Sequence, residues 1–157
     1  MKTKILLTLI LIIVLFASTA IAKPVVTADR TYFDVESGLY VLNGNVYIEA
    51  NNRIITAGQA KVNMASLEVW GSGGVTVTQE DIKFTGDSVY VYGSQERAVI
   101  DGGVGFSRTG LRITANKVEY NWNNKSAIFN GNVQVTQNNN TWAADSLSYN
   151  VAANSIL

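Results

Sequence analysis

From Lys23 onward the chain alternates apolar and polar residues, the period of a strand with one face turned inward. No stretch of that region keeps the three-and-four spacing of an amphipathic helix, so almost no helix is expected. The alternation repeats. Val26-Thr27-Ala28-Asp29 recurs as Ile55-Thr56-Ala57-Gly58, Phe84-Thr85-Gly86-Asp87, Ile113-Thr114-Ala115-Asn116 and, more weakly, Trp142-Ala143-Ala144-Asp145, each 29 residues after the last. The second half of the unit keeps step through Gly44, Gly73, Gly102 and Gly131, each followed two residues later by Val46, Val75, Val104 or Val133. Each unit therefore reads as two strands, the second bent at its glycine.

The second strand alternates strictly: Leu42, Ile100 and Phe129 (Gly71 in the second unit), then the glycine, then the valine, then Ile48, Val77, Phe106 and Val135. The first strand slips by one residue around Asp29 and Arg30. A slip reverses the facing of every later side chain unless a bulge or bend absorbs it, so one is predicted there in each unit. Asp29, Gly58, Asp87, Asn116 and Asp145 occupy that column, and all three residue types tolerate such backbone shapes. Turn residues punctuate the strands at Glu36-Ser37-Gly38, Asn51-Asn52, Gln79-Glu80-Asp81, Gly93-Ser94-Gln95, Asn121 to Asn124 and Asn138 to Asn140.

One unit cannot bury its apolar face alone, whereas stacked units share a continuous interior with open sheet edges at both ends. The fifth unit reaches only Leu157, halfway through, and is expected to present an edge suited to pairing with another copy or a partner of the same kind. The expected architecture is all-β and elongated, built from 29-residue two-strand repeats without a linker.

Ahead of the repeats, Met1 to Lys4 is a basic start, Ile5 to Phe16 an apolar run, and Ala20-Ile21-Ala22 supplies the small residues of a signal-peptidase site. The expected division is a signal peptide over 1–22 and one β domain over 23–157. The alternative is an uncleaved anchor, since Ile5 to Ala22 gives 18 largely apolar residues. Without cysteine, no lipid anchor or disulfide is available, and stability must come from backbone pairing and packing.

Charge and chemistry narrow the function. The 12 Lys plus Arg balance 12 Asp plus Glu; without Lys2 and Lys4 the balance is 10 against 12, with no basic stripe for nucleic acid. With no His and no Cys, the usual neutral-pH base, the usual zinc ligands and all thiol chemistry are missing, so neither enzyme activity nor a metal or cofactor is expected. Gly71-Ser72-Gly73-Gly74 and Gly102-Gly103-Val104-Gly105 sit at the repeat's bend with no helix after them, which makes them strand kinks rather than phosphate loops. Glu80-Asp81 reads as a solvated turn, and the aspartate column lacks the paired glycines of calcium-binding nonapeptides.

The combination of Ala28-Asp29, Tyr32-Phe33-Asp34, Leu42-Asn43-Gly44-Asn45-Val46, Asn130-Gly131-Asn132-Val133 and Ala144-Asp145-Ser146-Leu147-Ser148-Tyr149 resembles the OstA-like (LptA) family of lipopolysaccharide-transport proteins, over nearly all of Val26 to Asn150. The resemblance implies a semi-closed β-jellyroll whose slot-like apolar interior holds lipid A acyl chains. It further implies a periplasmic carrier and bridge that binds lipopolysaccharide, associates head to tail with itself, and docks on LptC-like and LptD-like jellyroll components. Alternatives are a membrane-anchored LptC-like component and a structural β-repeat module without lipid. On this reading the acyl-chain groove is lined by the inward columns: Val26, Ile55, Phe84 and Ile113; Val46, Val75, Val104 and Val133; Ile48, Val77, Phe106 and Val135. The same residues would form the dry core of any β-solenoid or sandwich. Gly71 and Gly86 stand where the family has larger residues or Ala, and are expected to open the second and third units.

Overall fold

The computed structural model describes residues 23–157; the expected signal peptide lies outside them. The described chain forms strands β1 (Val25–Thr27), β2 (Arg30–Asp34), β3 (Leu39–Ala50), β4 (Arg53–Asn63), β5 (Glu68–Gln79), β6 (Ile82–Tyr92), β7 (Arg97–Arg108), β8 (Leu111–Asn121), β9 (Ser126–Gln137), β10 (Asn140–Asn150) and β11 (Ser155–Ile156). All join one antiparallel sheet in sequence order, with β1 and β2 both paired to β3 and a single 3-10 turn at Gly93–Gln95. The two-strand repeat holds throughout: each unit contributes one hairpin to the meander.

The long strands bend in the middle, and the bend folds the sheet into two facing leaves. One leaf turns Val46, Ile48, Ile55, Val75, Val77, Phe84, Val104, Phe106, Ile113, Val133 and Val135 inward, all buried. The other turns Leu42, Val62, Val69, Val91, Ile100, Val118, Tyr120, Phe129 and Tyr149 inward, also buried. Rings meet across the gap, Phe84 with Tyr120 at 5.2 Å and Phe106 with Phe129 and Tyr149 at 5.7 and 5.3 Å between centroids. This is the all-β repeat architecture that the alternation predicts, in the jellyroll-like form that the resemblance implies.

The register breaks where the alternation slips, but the extra residue sits on the neighbouring strand. In the pairing of β3 with β4, Asn43 faces Gln59 and Val46 faces Ala57, so Gly44 and Asn45 together oppose Gly58. Gly73-Gly74, Gly102-Gly103 and Gly131-Asn132 repeat the arrangement. Both residues of each pair lie at positive φ, from 78° and 48° at Gly44 and Asn45 to 78° and 49° at Gly131 and Asn132. Only Gly, and at some cost Asn, holds that shape easily. The Asp29 column instead serves as the facing partner: the Asp29 N–H donates to the Gly44 carbonyl at 2.9 Å, and the Asn45 side-chain amide donates to the Asp29 carboxylate at 2.9 Å.

One expectation needs correction. Gly71 and Gly86 do not open the interior, because Val89 and Ile100 already fill the space a Cβ would take, with Val89 Cγ1 only 2.9 Å from that position at Gly71. A further hairpin turn, between β4 and β5 over Met64 to Leu67, carries no glycine or proline. Asn63 makes it instead, its side-chain oxygen accepting from the Ala65 and Ser66 N–H groups at 3.0 and 3.2 Å.

Candidate functional site

The two leaves meet at the bend and are free at the opposite side, where the hairpin turns form two lips. What closes these lips changes along the repeat. Arg108, at the end of β7, reaches across to donate to the Tyr149 hydroxyl at 2.8 Å and the Val151 carbonyl at 2.7 Å, and pairs with Asp81 at 2.7 Å on its own lip. The bond to Tyr149, then that to Asp81, holds the Arg108 pKa above its ordinary value. One unit earlier the same two positions are Gln79 and Tyr120, both buried; here the Tyr120 hydroxyl has no hydrogen-bond partner, and burial raises its pKa. One unit earlier again they are Ala50 and Val91, too small to meet.

At that point the lips part around a cavity of about 400 Å³. Val26, Ile48 and Ile55 wall it from one leaf and Val62, Val69 and Val91 from the other, with Met64 and Leu67 at the rim. Met64 and Leu67 are 50% and 58% exposed, unusual for side chains of that kind in a turn. The Asn63 turn places them there. A cavity of this size sits at the small end of the range of about 300–1,000 Å³ for ligand pockets, and its lining is mostly apolar, as such pockets are.

One cation lines it. Arg53, at the start of β4, lays its guanidinium 4.2 Å from the ring centre of Trp122 on the opposite lip and donates through Nε to Gln79 Oε1 at 3.2 Å. Burial lowers its pKa, opposed only by the Tyr120 phenol. The Arg53–Trp122 contact closes the cavity on the side of the filled core.

Of the twelve residues predicted from the inward columns, Val26, Ile48 and Ile55 line the cavity. The other nine are buried at 4% exposure or less and line no part of it. Val26 is 36% exposed, on β1 at the open end of the stack. Sequence reasoning missed Arg53, Met64, Leu67 and Trp122. Arg53 carried a signal, since the equivalent positions in later units are Ile82, Leu111 and, in the last, Asn140, so Arg53 is the one charge in the column.

Fold and site together define a bent β-jellyroll with an apolar interior, filled over most of its length and open near its first repeat. Residues 112–155, from β8 to β11, match the family described as LptA/(LptD N-terminal domain) LPS transport protein. The solved structure of LptH, the LptA homologous periplasmic component of the conserved lipopolysaccharide transport device from Pseudomonas aeruginosa, is similar with a TM-score of 0.58 and 18% identity, covering 63% of this chain and 76% of that one. No protein of curated function matches the sequence. The family match covers residues 112–155, and the likeness to LptH shows a shared fold.

Proposed function

We propose that this chain is a periplasmic carrier and bridge protein of lipopolysaccharide transport, which shelters acyl chains between its leaves. The observation that carries the reading is the apolar cavity at the free lips, walled by Val26, Ile48, Ile55, Val62, Val69 and Val91. Moving acyl chains through water exposes apolar surface at about 25 cal/mol per Å², and a lined cavity removes much of that cost. No bond is made or broken, which suits a chain without His or Cys. The match of residues 112–155 to an LPS-transport family and the fold shared with LptH support the same reading.

The cavity opens laterally and at the β1 end. The outer side of β10 from Asn140 to Leu147 has no partner among the described residues, and Val25, Tyr32 and Phe33 are exposed on β1 and β2. Neighbouring jellyrolls of the transport bridge, LptC-like, LptD-like or a second copy, would extend the sheet at these edges by strand addition.

The filled core around Phe84, Phe106, Phe129 and Tyr149 favours a second reading, a structural β module that stacks without lipid. One experiment separates the two. A photo-crosslinking residue at Val26 or Leu67, irradiated in cells, gives lipopolysaccharide adducts on the carrier reading, and none at the outward Gln134. Equal labelling at Gln134, or no adduct at any position, rejects it in favour of the structural module.

A further inference from the structure

Arg53 is a charge with an incomplete set of partners in an apolar place. Its Nε is bonded and its face is stacked, yet both Nη groups lack a hydrogen-bond partner among the described residues. No carboxylate among those residues pairs with it, although Arg97 and Arg108 each have one. A partly buried guanidinium without an anion is unfavourable unless something supplies the counter-charge. Arg53 stands on the cavity wall, whereas the buried, unpartnered Tyr120 hydroxyl, near enough to influence its charge, is not part of the lining, so the guanidinium is the one cationic donor the cavity offers. The volume of about 400 Å³ suits one chain-sized ligand rather than several.

Resting on the carrier reading, we propose that this cavity takes a single-chain amphiphile with an anionic head, carboxylate or phosphate, and that Arg53 holds the head. The guanidinium fork matches either anion in a two-bond geometry, and the Trp122 ring fixes its plane. The chain then lies toward Ile48, Ile55 and Val69, with Met64 and Leu67 over it. Because the corresponding positions in the later repeats are the buried Gln79 and Tyr120 and the clasped Arg108 and Tyr149, the selection for charge is made once, at the first repeat.

Protein produced from the full chain is loaded with the fluorescent apolar dye N-phenylnaphthylamine. Palmitic acid, palmitoyl lysophosphatidic acid and uncharged monopalmitoyl glycerol are then compared as displacers, below their aggregation thresholds. Both anions are expected to displace the dye at concentrations at least about tenfold lower than the glyceride, the tighter of the two naming the preferred head. Arg53→Gln reduces that preference to less than about twofold, Arg53→Lys keeps most of it, and Ala50→Trp, which fills the cavity from its rim, weakens all three. A preference that survives in Arg53→Gln, or is absent from the unaltered protein, overturns the role of Arg53 while leaving the carrier reading intact, provided all three displace the dye and Ala50→Trp blocks them. Failure of all three to displace the dye overturns both.

Discussion

Arg108 donates to the Tyr149 hydroxyl across 2.8 Å and 41 residues of sequence, joining the two leaves of the sheet at their free lips. Tyr149 passes the contact on by donating to Asn154 at 2.7 Å, beyond the end of β10. The bond spans more than one repeat, so it ties successive hairpins together as well as the two leaves. The same 41-residue relation links Gln79 to Tyr120 without a bond and Ala50 to Val91 across the cavity. One geometric relation, filled by three residue pairs, thus grades the molecule from open to closed.

Removing either partner of the clasp should cost stability, and removing both should cost less than the sum. Hydrogen bonds to charged groups contribute about 1.5–3 kcal/mol, so Arg108→Ala is expected to lose about 2 kcal/mol and Tyr149→Phe about 1. Their double mutant should show a coupling of about 1 kcal/mol in urea unfolding. Strict additivity would mean that the clasp contributes nothing.

The buried rings set the second expectation. Phe106 touches Phe84, Phe129 and Tyr149 and is 1% exposed, so Phe106→Ala should destabilise by about 3–5 kcal/mol. Val26 belongs to the same set of inward columns but lies at the open end, and Val26→Ala should fall within about 0.5 kcal/mol of the unaltered protein. Thermal unfolding of the two variants measures whether the interior is closed around Phe106 and open beside Val26.

Much of this was legible in the sequence, for a local reason: alternation and the 29-residue period are read within one unit, and they fix the strands, the bent glycines and the inward columns. The slip in the alternation marks the row of the irregularity, and the chain bends at Asp29 as that slip predicts, but a slip in one strand does not tell which neighbour carries the extra residue. The turn at Met64 to Leu67 was hidden by its apolar residues and betrayed only by Asn63. The cavity was least legible. It depends on which side chains meet across the lips, and residues such as Arg53 and Trp122 come together from different units only after the sheet has folded over.

The paired positive-φ residues separate two glycines that look alike in sequence. Gly102 lies at φ 82° with the Asp87 side chain where a Cβ would stand, whereas Gly103 lies at φ 53° with nothing within 4 Å. Gly102→Ala should therefore cost at least about 1–2 kcal/mol from backbone strain, with crowding added. Gly103→Asn should be neutral or slightly stabilising, since Asn45 and Asn132 already hold the equivalent position at φ 48° and 49°. Chemical denaturation of both variants checks the contrast, and equal losses would contradict the assigned bulge.

Tyr120 gives stability a dependence on alkaline pH. Burial, the largest cause, raises its pKa above the ordinary value of 10.0; Glu80 adds to the rise and Arg53 opposes it. The folded state therefore keeps the phenolic proton more tightly than the unfolded chain does. Its contribution is fully present below pH 10 and is lost as pH rises through the raised value, where the unfolded state binds fewer protons and the slope of unfolding free energy with pH is negative. Tyr120→Phe removes both the titrating group and a buried hydroxyl that has no partner, so it should leave stability at pH 7 unchanged or slightly higher and flatten the alkaline loss. Urea unfolding between pH 7 and 11, with phenolate absorbance followed in parallel, measures both. A Tyr120→Phe variant less stable than the parent at pH 7 by about 1 kcal/mol or more would show that the hydroxyl is bonded after all, and that the lips at Gln79 and Tyr120 are held together as they are at Arg108 and Tyr149.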